Sequence, residues 1–298
     1  MPTTKTDHLA GLNRAMSVWD DDKPDLGYMA TVFAQTSLPY RDPGVTARWG
    51  RRNGHLSLIV QPGEWIDAEG AVRSVGVPYG VIPRLLLAWI TTEAKRSKDR
   101  RLVLGESLSD FMRSLELVPT GGRWGTITRL RAQMERLFLA SIVVRYDSTA
   151  TRDAGARVNI VDEYDLWWSH TDPDQQTLMP SYVELSERFF VEIASHALPL
   201  KMAVLHAVRR SPLRIDIYLW LTWRMSTLKR PTVVPWEGLR QQFGSQLADT
   251  KQGRQQFRRD FQRQLREVLV HYPEANVDAL PGGLMLRPSP THVRRRAR

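Results

Sequence analysis

The segment of residues 254–272 constrains the fold most strongly, because its apolar residues recur at helical spacing. It reads RQQFRRDFQRQLREVLVHY. Steps of three and four residues place side chains on one face of a helix. That apolar face carries Phe257, Phe261, Leu265, Val268, Leu269 and Tyr272. The opposite face carries Arg259, Arg263 and Arg266, with Gln255 and Gln262 at its edge. The pattern predicts an amphipathic helix that buries one side and offers guanidinium and amide groups on the other.

Two short strands are predicted directly after this helix. Residues 276–280 and 283–287 have strand-like sequences, and Pro281-Gly282 between them is typical of a turn. A basic helix followed by a β-hairpin is the end of a winged helix-turn-helix. Arg and Gln also donate in pairs to guanine and adenine edges in the major groove. The pattern therefore favours double-stranded DNA as the partner.

The same order of elements is predicted in both halves of the chain. The first half is predicted to contain helix 83–98, strand 101–104, short helix 109–117, long helix 124–141, and strands 142–146 and 157–161. The second half is predicted to contain helix 211–228, strand 232–234, short helix 235–243, long helix 253–272 and the hairpin. Ser107 or Ser109 is the expected N-cap of the short helix in the first half. This order predicts an α+β, mainly helical fold with two tandem winged helix-turn-helix domains.

The predicted domain limits follow from this order. Residues 1–50 are expected to be a weakly ordered N-terminal arm. Residues 51–175 form the first winged-helix domain, for dimerisation or DNA contact, and residues 176–290 form the second, the main DNA reader. Residues 291–298 are a basic tail. Further strands are expected at 55–60 and 64–66, and connecting helices at 183–197 and 200–208.

The candidate DNA-binding residues lie on the long helix of each domain and on the second hairpin. In the second domain they are Arg254, Arg258, Arg259, Gln262, Arg263, Arg266 and Arg287. In the first domain they are Arg129, Gln133 and Arg136, on one flank of the apolar stripe. We expect the second long helix to read bases or contact phosphates, and Arg287 with the tail to hold adjacent phosphates. The arginines of the first long helix either contact phosphates or are simply solvated.

The distribution of charge also favours a polyanionic partner. The chain has 42 basic and 32 acidic residues, a net charge of +10. Residues 251–298 contain 11 of the basic and four of the acidic residues, including the arginine-rich tail. Such an excess suits nucleic acid first and an anionic membrane second. No apolar run of ~18 residues is present, so neither a transmembrane helix nor a membrane partner is expected. The absence of cysteine excludes disulfides and fits the cytoplasm.

No motif for catalysis or for a cofactor stands out. Gly121-Gly122-x-x-Gly125 precedes a helix but lacks the Lys-Ser/Thr that a P-loop needs, so a tight turn explains it. The seven histidines include no His-x-His or His-x-x-x-His pair. The nearest acidic cluster is Asp162-Glu163 with Asp165. We therefore expect no enzyme activity, no metal site and no cofactor.

Five runs of the sequence resemble the plasmid-encoded RepA replication initiators. They are PYGVIPRLLLAWITTEAKRSKDRRLVLGESLSDFMRSLEL (78–117), TGGRWGTITRLRAQMERLF (120–138), LSERFFVEI (185–193), RRSPLRIDIYLWLTWRM (209–225) and PWEGLRQQFG (235–244). The resemblance covers roughly residues 50–290. The first 50 residues and the arginine-rich tail lie outside it.

This resemblance implies a role in starting the replication of a bacterial plasmid. Such proteins bind repeated sites (iterons) at the origin, help to open an A·T-rich segment and help to load the host replicative helicase, together with the host initiator. Related initiators carry two winged-helix domains and take part in plasmid copy control. In several, a monomer binds the repeats while a dimer represses the initiator's own gene. A monomer–dimer equilibrium in the bacterial cytoplasm is therefore expected.

Two other functions remain open at this point. A transcriptional repressor would bind one palindromic operator as a stable dimer, whereas an initiator binds tandem direct repeats. A nicking enzyme of the rolling-circle type would need a catalytic Tyr and a His-x-His metal site, and the sequence has no such histidine pair.

Overall fold

The computed structural model describes residues 26–44, 48–149, 152–169, 172–177, 179–244 and 249–293 of the chain. About 40% of the structure is helix and 25% is strand. The predicted α+β class is therefore confirmed, whereas "mainly helical" overstates the helix content. Within the described ranges, no helix is both long and apolar enough to cross a bilayer.

The described elements have the following bounds. The helices are α1 (Thr31–Gln35), α2 (Ile82–Ser97), α3 (Leu108–Ser114), α4 (Thr126–Phe138), α5 (Glu187–His196), α6 (Met202–Val208), α7 (Pro212–Thr227), α8 (Trp236–Phe243) and α9 (Lys251–Leu269). The strands are β1 (Leu26–Ala30), β2 (Trp49–Asn53), β3 (Leu56–Gln61), β4 (Glu64–Ile66), β5 (Val72–Ser74), β6 (Arg101–Val103), β7 (Ser141–Thr149), β8 (Arg152–Asn159), β9 (Val161–Asp165), β10 (Tyr182–Leu185), β11 (Ala197–Lys201), β12 (Thr232–Pro235), β13 (Val277–Ala279) and β14 (Gly283–Leu286).

These elements form two compact units. The central unit is Leu38–Ala197, and the C-terminal unit combines the chain up to Ser37 with Leu198–Arg298. In the central unit, one antiparallel sheet has the order β2-β3-β7-β8, a second has the order β6-β10-β9, and β4 pairs with β5. Helices α2 and α4 pack beside these sheets, and an aromatic cluster forms part of the core. Phe111 lies 5.1 Å from Trp89 and 5.3 Å from Trp168, measured between ring centroids.

The C-terminal unit is built on helices α7, α8 and α9 and on a sheet of order β12-β14-β13. Leu284 in the middle strand pairs with Val234 on one side and with Ala279 on the other. Strand β1 pairs with β11, and α1 packs on α7. The side-chain amide of Gln242 in α8 donates to the carbonyl of Gln35 at 2.8 Å, which ties α1 into this unit.

Most of the predicted elements are confirmed within a few residues. The helices predicted at 83–98, 211–228 and 253–272 correspond to α2, α7 and α9, and the predicted C-terminal hairpin corresponds to β13 and β14. Ser107 is the N-cap of α3, since its hydroxyl accepts a hydrogen bond from the amide of Asp110 at 3.1 Å. Regular apolar spacing and capping chemistry are local signals, so they locate these elements without tertiary information.

The strands predicted as the first wing belong to a different sheet. Residues 142–146 and 157–161 were predicted as the hairpin that follows the long helix. They do pair as a hairpin, largely in β7 and β8, but that hairpin joins β2 and β3 in one sheet. The sheet that contains β6 is completed by β9 and β10 instead. Strand periodicity shows which face of a strand is buried but does not name its partner. Residues 183–197, predicted as one helix, are β10 followed by α5.

The two units also divide the chain differently from the predicted domain limits. The predicted limit at 175/176 falls between β9 and β10, which pair through Asp165 and Tyr182. This pairing keeps both strands in the central unit. The predicted weakly ordered arm contains β1 and α1 from Leu26 onward, with Met29 and Phe33 buried. Residues 1–25 of that arm, and residues 294–298 of the predicted tail, lie outside the described residues.

His292 anchors the segment that follows β14. Its ring stacks on Tyr272 at a centroid distance of 4.3 Å and an interplanar angle of 11°. It also meets the ring of Tyr218 edge-on at 5.7 Å. The Tyr272 hydroxyl donates to the carbonyl of Pro290 at 2.9 Å. Burial, with smaller contributions from the nearby Lys201 and His271, lowers the pKa of His292 from 6.5 to about 3.

Acid should therefore weaken folding through His292. The folded state holds the ring neutral, so the unfolded chain binds the proton first as the pH falls below the ordinary histidine pKa of 6.5. Stability is unaffected above that pH and falls progressively between about pH 6.5 and pH 3, by roughly 3 kcal/mol at pH 4. Urea denaturation at pH 7 and pH 4 measures the loss. His292→Phe retains an aromatic ring and should remove this part of the pH dependence; an unchanged dependence would contradict the assignment.

Candidate nucleic-acid interface

Helix α9 is fixed in the C-terminal unit by one apolar face. Phe257, Phe261, Leu265 and Val268 are buried on it. Thr250 caps its start, since the threonine hydroxyl accepts from the amide of Gly253 at 3.0 Å. The helix contains six basic and two acidic residues. Because this buried apolar face (the seam) fixes the rotation of the helix, the basic residues on the opposite side face solvent.

The exposed side of α9 carries a short network of side chains. The guanidinium of Arg259 donates to the Gln256 amide oxygen at 2.7 Å, and the Gln256 amide nitrogen donates to Asp260 at 2.7 Å. Arg263 forms an ion pair with the same Asp260 at 2.9 Å. This network orients two of the predicted base readers along one flank of the helix. Exposed pairs of this kind are weak, so a DNA partner can replace them at small cost.

Arg266 and Gln262 complete the predicted reading face. Arg266 is exposed, and Gln262 is half-buried. Within the part of the chain that the structure describes, the side chains of both lack a hydrogen bond or ion pair. Arg266 and Gln262 are therefore the predicted readers on α9 that give up the fewest contacts on binding a phosphate or a base.

Arg254, near the start of α9, belongs to a chain of ion pairs that reaches α8. It contacts Asp249 at 2.6 Å, and Asp249 also contacts Arg240 at 3.2 Å. Arg240 in turn contacts Glu237 at 3.0 Å, and this hydrogen bond holds the pKa of the Glu237 carboxyl below its usual value. These ion pairs link the start of α9 to α8. They also partly neutralise the charge of Arg254.

Arg258 and Arg287 hold the hairpin. Arg258 donates from α9 to the carbonyls of Leu280 at 3.3 Å and Pro281 at 3.2 Å, and its guanidinium carbon lies 5.1 Å from the Trp236 ring centroid. Arg287 donates to the side chain of Asn276 at 3.0 Å and pairs with Asp278 across the two strands. Both were predicted to contact DNA. The structure places the Arg258 guanidinium between α9 and the hairpin turn, whereas the contacts of Arg287 lie within the hairpin and join its two strands.

The three candidates on α4 in the central unit have different environments. Arg129 is exposed. Gln133 is 5% exposed, and its side-chain oxygen accepts from the amide of Tyr79 at 2.8 Å. Arg136 pairs with Asp42 at 3.3 Å and donates to the carbonyl of Val77 at 3.3 Å. Gln133 is therefore not accessible to a DNA partner. Arg136 instead holds the segments around Asp42 and Val77 against α4. Arg129 stays available.

The loop before α4 holds a residue that the sequence interpretation did not select. The long helix was predicted to begin near residue 124, but α4 begins at Thr126. Trp124 therefore lies in the preceding loop, and it is 80% exposed. The signal that was available is the setting of the tryptophan in the run Gly121-Gly122-Arg123-Trp124-Gly125, because glycines supply no side chains on which its ring could pack.

The acidic residues considered as a metal site are engaged with other side chains. Asp162 contacts Arg100 at 3.1 Å, and Asp165 accepts from the indole nitrogen of Trp167 at 2.9 Å. Glu163 accepts a hydrogen bond from Tyr182, which raises the pKa of that phenol. Among the described residues, no group of three or more His, Asp or Glu side chains has the arrangement of a metal site.

Comparison with known proteins gives a family and a fold. The chain matches the family model described as plasmid encoded RepA protein over residues 77–237, which is more than half of its length. A selenomethionine crystal structure of domains 2 and 3 of RctB is similar with a TM-score of 0.53 at 10% identity, covering 87% of this chain and 98% of that one. A second crystal structure of RctB domains 2–3 gives a TM-score of 0.49 at 12% identity, covering 86% and 94%. At such identity the likeness to the first shows a shared fold alone. Curated protein sequences gave no significant match.

Because Arg258 contacts the hairpin and Arg266 does not, alanine substitutions at these two positions of α9 should differ in their effect on the free energy of unfolding. Arg258→Ala removes two charge-assisted hydrogen bonds to the hairpin turn and should cost about 1–2 kcal/mol of unfolding free energy. Arg266→Ala, on the exposed face, should stay within about 0.5 kcal/mol of the parent. Urea denaturation measures both. Equal stability of the two variants would show that the contacts of Arg258 with the hairpin contribute nothing.

Proposed function

We propose, from the premise that this chain belongs to the family of plasmid-encoded RepA proteins, that it initiates plasmid replication by binding repeated double-stranded DNA sites at the origin. The observation that carries the proposal is the exposed basic face of α9, which ends beside a β-hairpin. The helix is held by its apolar side, so this face is presented as a rigid surface. Affinity for DNA comes mainly from phosphate neutralisation, and specificity comes from groups that reach base edges.

Each unit is proposed to contain a winged helix. In the central unit the order α2, β6, α3, α4, β9, β10 corresponds to α7, β12, α8, α9, β13, β14 in the C-terminal unit, except that β7 and β8 are inserted between α4 and β9. The two three-stranded sheets also have equivalent orders, β6-β10-β9 and β12-β14-β13. Helix, strand, two helices and a hairpin is the arrangement that places a recognition helix in a major groove. On this proposal the sheet β2-β3-β7-β8 is an addition to the first winged helix.

In the proposed mechanism α9 enters a major groove. Arg259, Arg263 and Arg266 donate to base edges or phosphates, and Gln262 contributes from the edge of this face. Arg258 and Arg287 act indirectly, because Arg258 joins the hairpin to α9 and Arg287 joins the two strands of the hairpin. Arg129 on α4 supplies a phosphate contact from the central unit. The tail at 294–298 would add phosphate contacts on all sequences.

The remaining steps are also proposals. Origin opening would be non-covalent, using binding energy and DNA bending with no enzymatic step, metal or nucleotide cofactor. The partners would be the host replicative helicase and the host initiator, in the bacterial cytoplasm. A monomer would bind the direct repeats, in equilibrium with a dimer that acts on the initiator's own gene.

Footprinting on the DNA that flanks the gene for this chain tests the proposal directly. We expect protection of several tandem direct repeats, weakening steeply as salt rises because bound counterions are released. A single protected palindrome would instead indicate a dimeric transcriptional repressor. A lack of protection at low salt would contradict the proposed activity.

Base reading by α9 predicts a specific pattern among variants. Arg259→Ala or Arg263→Ala should weaken binding to a repeat by about 1–3 kcal/mol and relax base preference if the side chain is bidentate to guanine. The matched control is Arg96→Ala, an exposed arginine of α2 that lies on neither proposed recognition helix and pairs with Glu93 at 2.7 Å. Fluorescence anisotropy with repeat and random duplexes measures both. An equal loss of affinity for the repeat and for the random duplex would show that the arginine contacts phosphate and does not read a base.

A further inference from the structure

The most exposed tryptophan among the described residues lies between the two helices that would form the first helix-turn-helix. Trp124 is 80% exposed, compared with 53% for Trp167 and 50% for Trp65. Exposing so large an apolar ring costs solvation free energy, and aromatic rings at a surface are characteristic of binding sites. Trp124 therefore needs an explanation other than core packing.

The loop that carries Trp124 is held by its own hydrogen bonds. The amide of Thr120 donates to the hydroxyl of Thr126 at 2.9 Å, and the amide of Thr126 donates to the hydroxyl of Thr120 at 2.9 Å. The hydroxyl of Thr128 donates to the carbonyl of Gly122 at 2.9 Å. Two reciprocal bonds and a third from the first turn of α4 hold the loop in one conformation.

Two glycines make this conformation possible. Gly122 has a φ of +85°, a region that favours glycine. A Cβ on Gly125 would lie 2.2 Å from the carbonyl oxygen of Thr120, so only glycine fits there. The loop therefore has a defined conformation in which Trp124 points into solvent. The exposure of the ring is a result of this conformation and not of a loose segment.

The charge around Trp124 identifies the kind of partner. The guanidinium carbon of Arg123 lies 5.2 Å from the Trp124 ring centroid, and Arg129 is exposed on the first turn of α4. No acidic residue occurs anywhere between Val118 and Met134, whereas three arginines do. A basic surface suits a polyanion, and an open indole face suits a flat aromatic group. Nucleotides carry both an anionic phosphate and a flat aromatic base.

We propose that the Trp124 loop, residues 118–126, binds unpaired nucleotides by stacking a base on the indole while Arg123 and Arg129 hold the phosphates. In a paired duplex the base faces are covered by their neighbours, so an indole finds an open face only where a strand is unpaired. This assignment rests on the proposed function, because opening of the origin is the step that supplies unpaired bases. It gives the central unit a role different from the base-edge reading proposed for α9.

Full-length parent, Trp124→Ala and Trp124→Phe test this, with Trp65→Ala as the matched control. Trp65 is also an exposed tryptophan of the central unit, on the separate β4-β5 hairpin, so its loss reports the general effect of removing an indole. Binding of each protein to a single-stranded dT12 and to a duplex repeat is measured by anisotropy at low salt. Because Trp124 is 80% exposed, both Trp124 variants should unfold at the parent temperature.

We expect Trp124→Ala to weaken dT12 binding about 5- to 100-fold, Trp124→Phe to lie between it and the parent, and Trp65→Ala to match the parent. Duplex binding should change less than about twofold in all three. Tryptophan emission should be quenched by dT12 in the parent and in Trp65→Ala, and much less in Trp124→Phe.

Three results would overturn the proposal: a parent that does not bind dT12, a Trp124→Ala variant that binds dT12 like the parent, or equal losses on dT12 and duplex. An unchanged affinity for dT12 would leave a protein partner as the alternative explanation for the exposed ring. Failure of the proposed function is recognised separately, because it appears as absent duplex binding by the parent protein.

Discussion

The burial of one face of α9 is the constraint on which the proposed interface depends. Phe261 is fully buried and contacts the rings of Phe243 at 5.4 Å and Trp236 at 6.0 Å. Fully burying a side chain of this size stabilises folding by about 1.5–3 kcal/mol, and three further apolar residues join it along the seam. Once this seam is fixed, helix geometry alone directs Arg259 and Arg266 away from the core. Presentation of cations to a partner is thus a consequence of aromatic packing behind them.

Five of the candidate arginines fall into two groups according to what their guanidiniums contact. Arg258, Arg287 and Arg136 are bonded to carbonyls, amides and carboxylates of the protein, and they hold loops and the hairpin in place. Arg266 and Arg129 are exposed and are left for solvent or a partner. A count of basic residues therefore overstates the number of possible phosphate contacts. On the proposed function, the net charge would attract a polyanion over a distance, and the unengaged guanidiniums would decide where it binds.

Much of the secondary structure was predictable because its signals are local. Apolar spacing located α2, α7 and α9, and the serine at 107 marked the start of α3. Pairing was less accessible, because β9 and β10 are separated by a long loop and the strand-like stretch at 142–146 precedes them. Alternation of apolar and polar residues shows which face of a strand is buried, but it does not show which other strand it pairs with. The strands predicted as the first wing, β7 and β8, accordingly belong to a different sheet from the one that contains β9 and β10.

By itself, the sequence determined the α+β class, the main helices, the family resemblance and the basic face of α9, because each follows from residue spacing along the chain. Only the tertiary structure decided that Gln133 is buried beneath Tyr79, that Arg258 holds the hairpin, and that Trp124 stands exposed on a rigid loop. These outcomes depend on which groups from distant parts of the chain meet. A side chain's availability to a partner is what remains after those contacts are made, so it cannot be read from its residue type or its helical position.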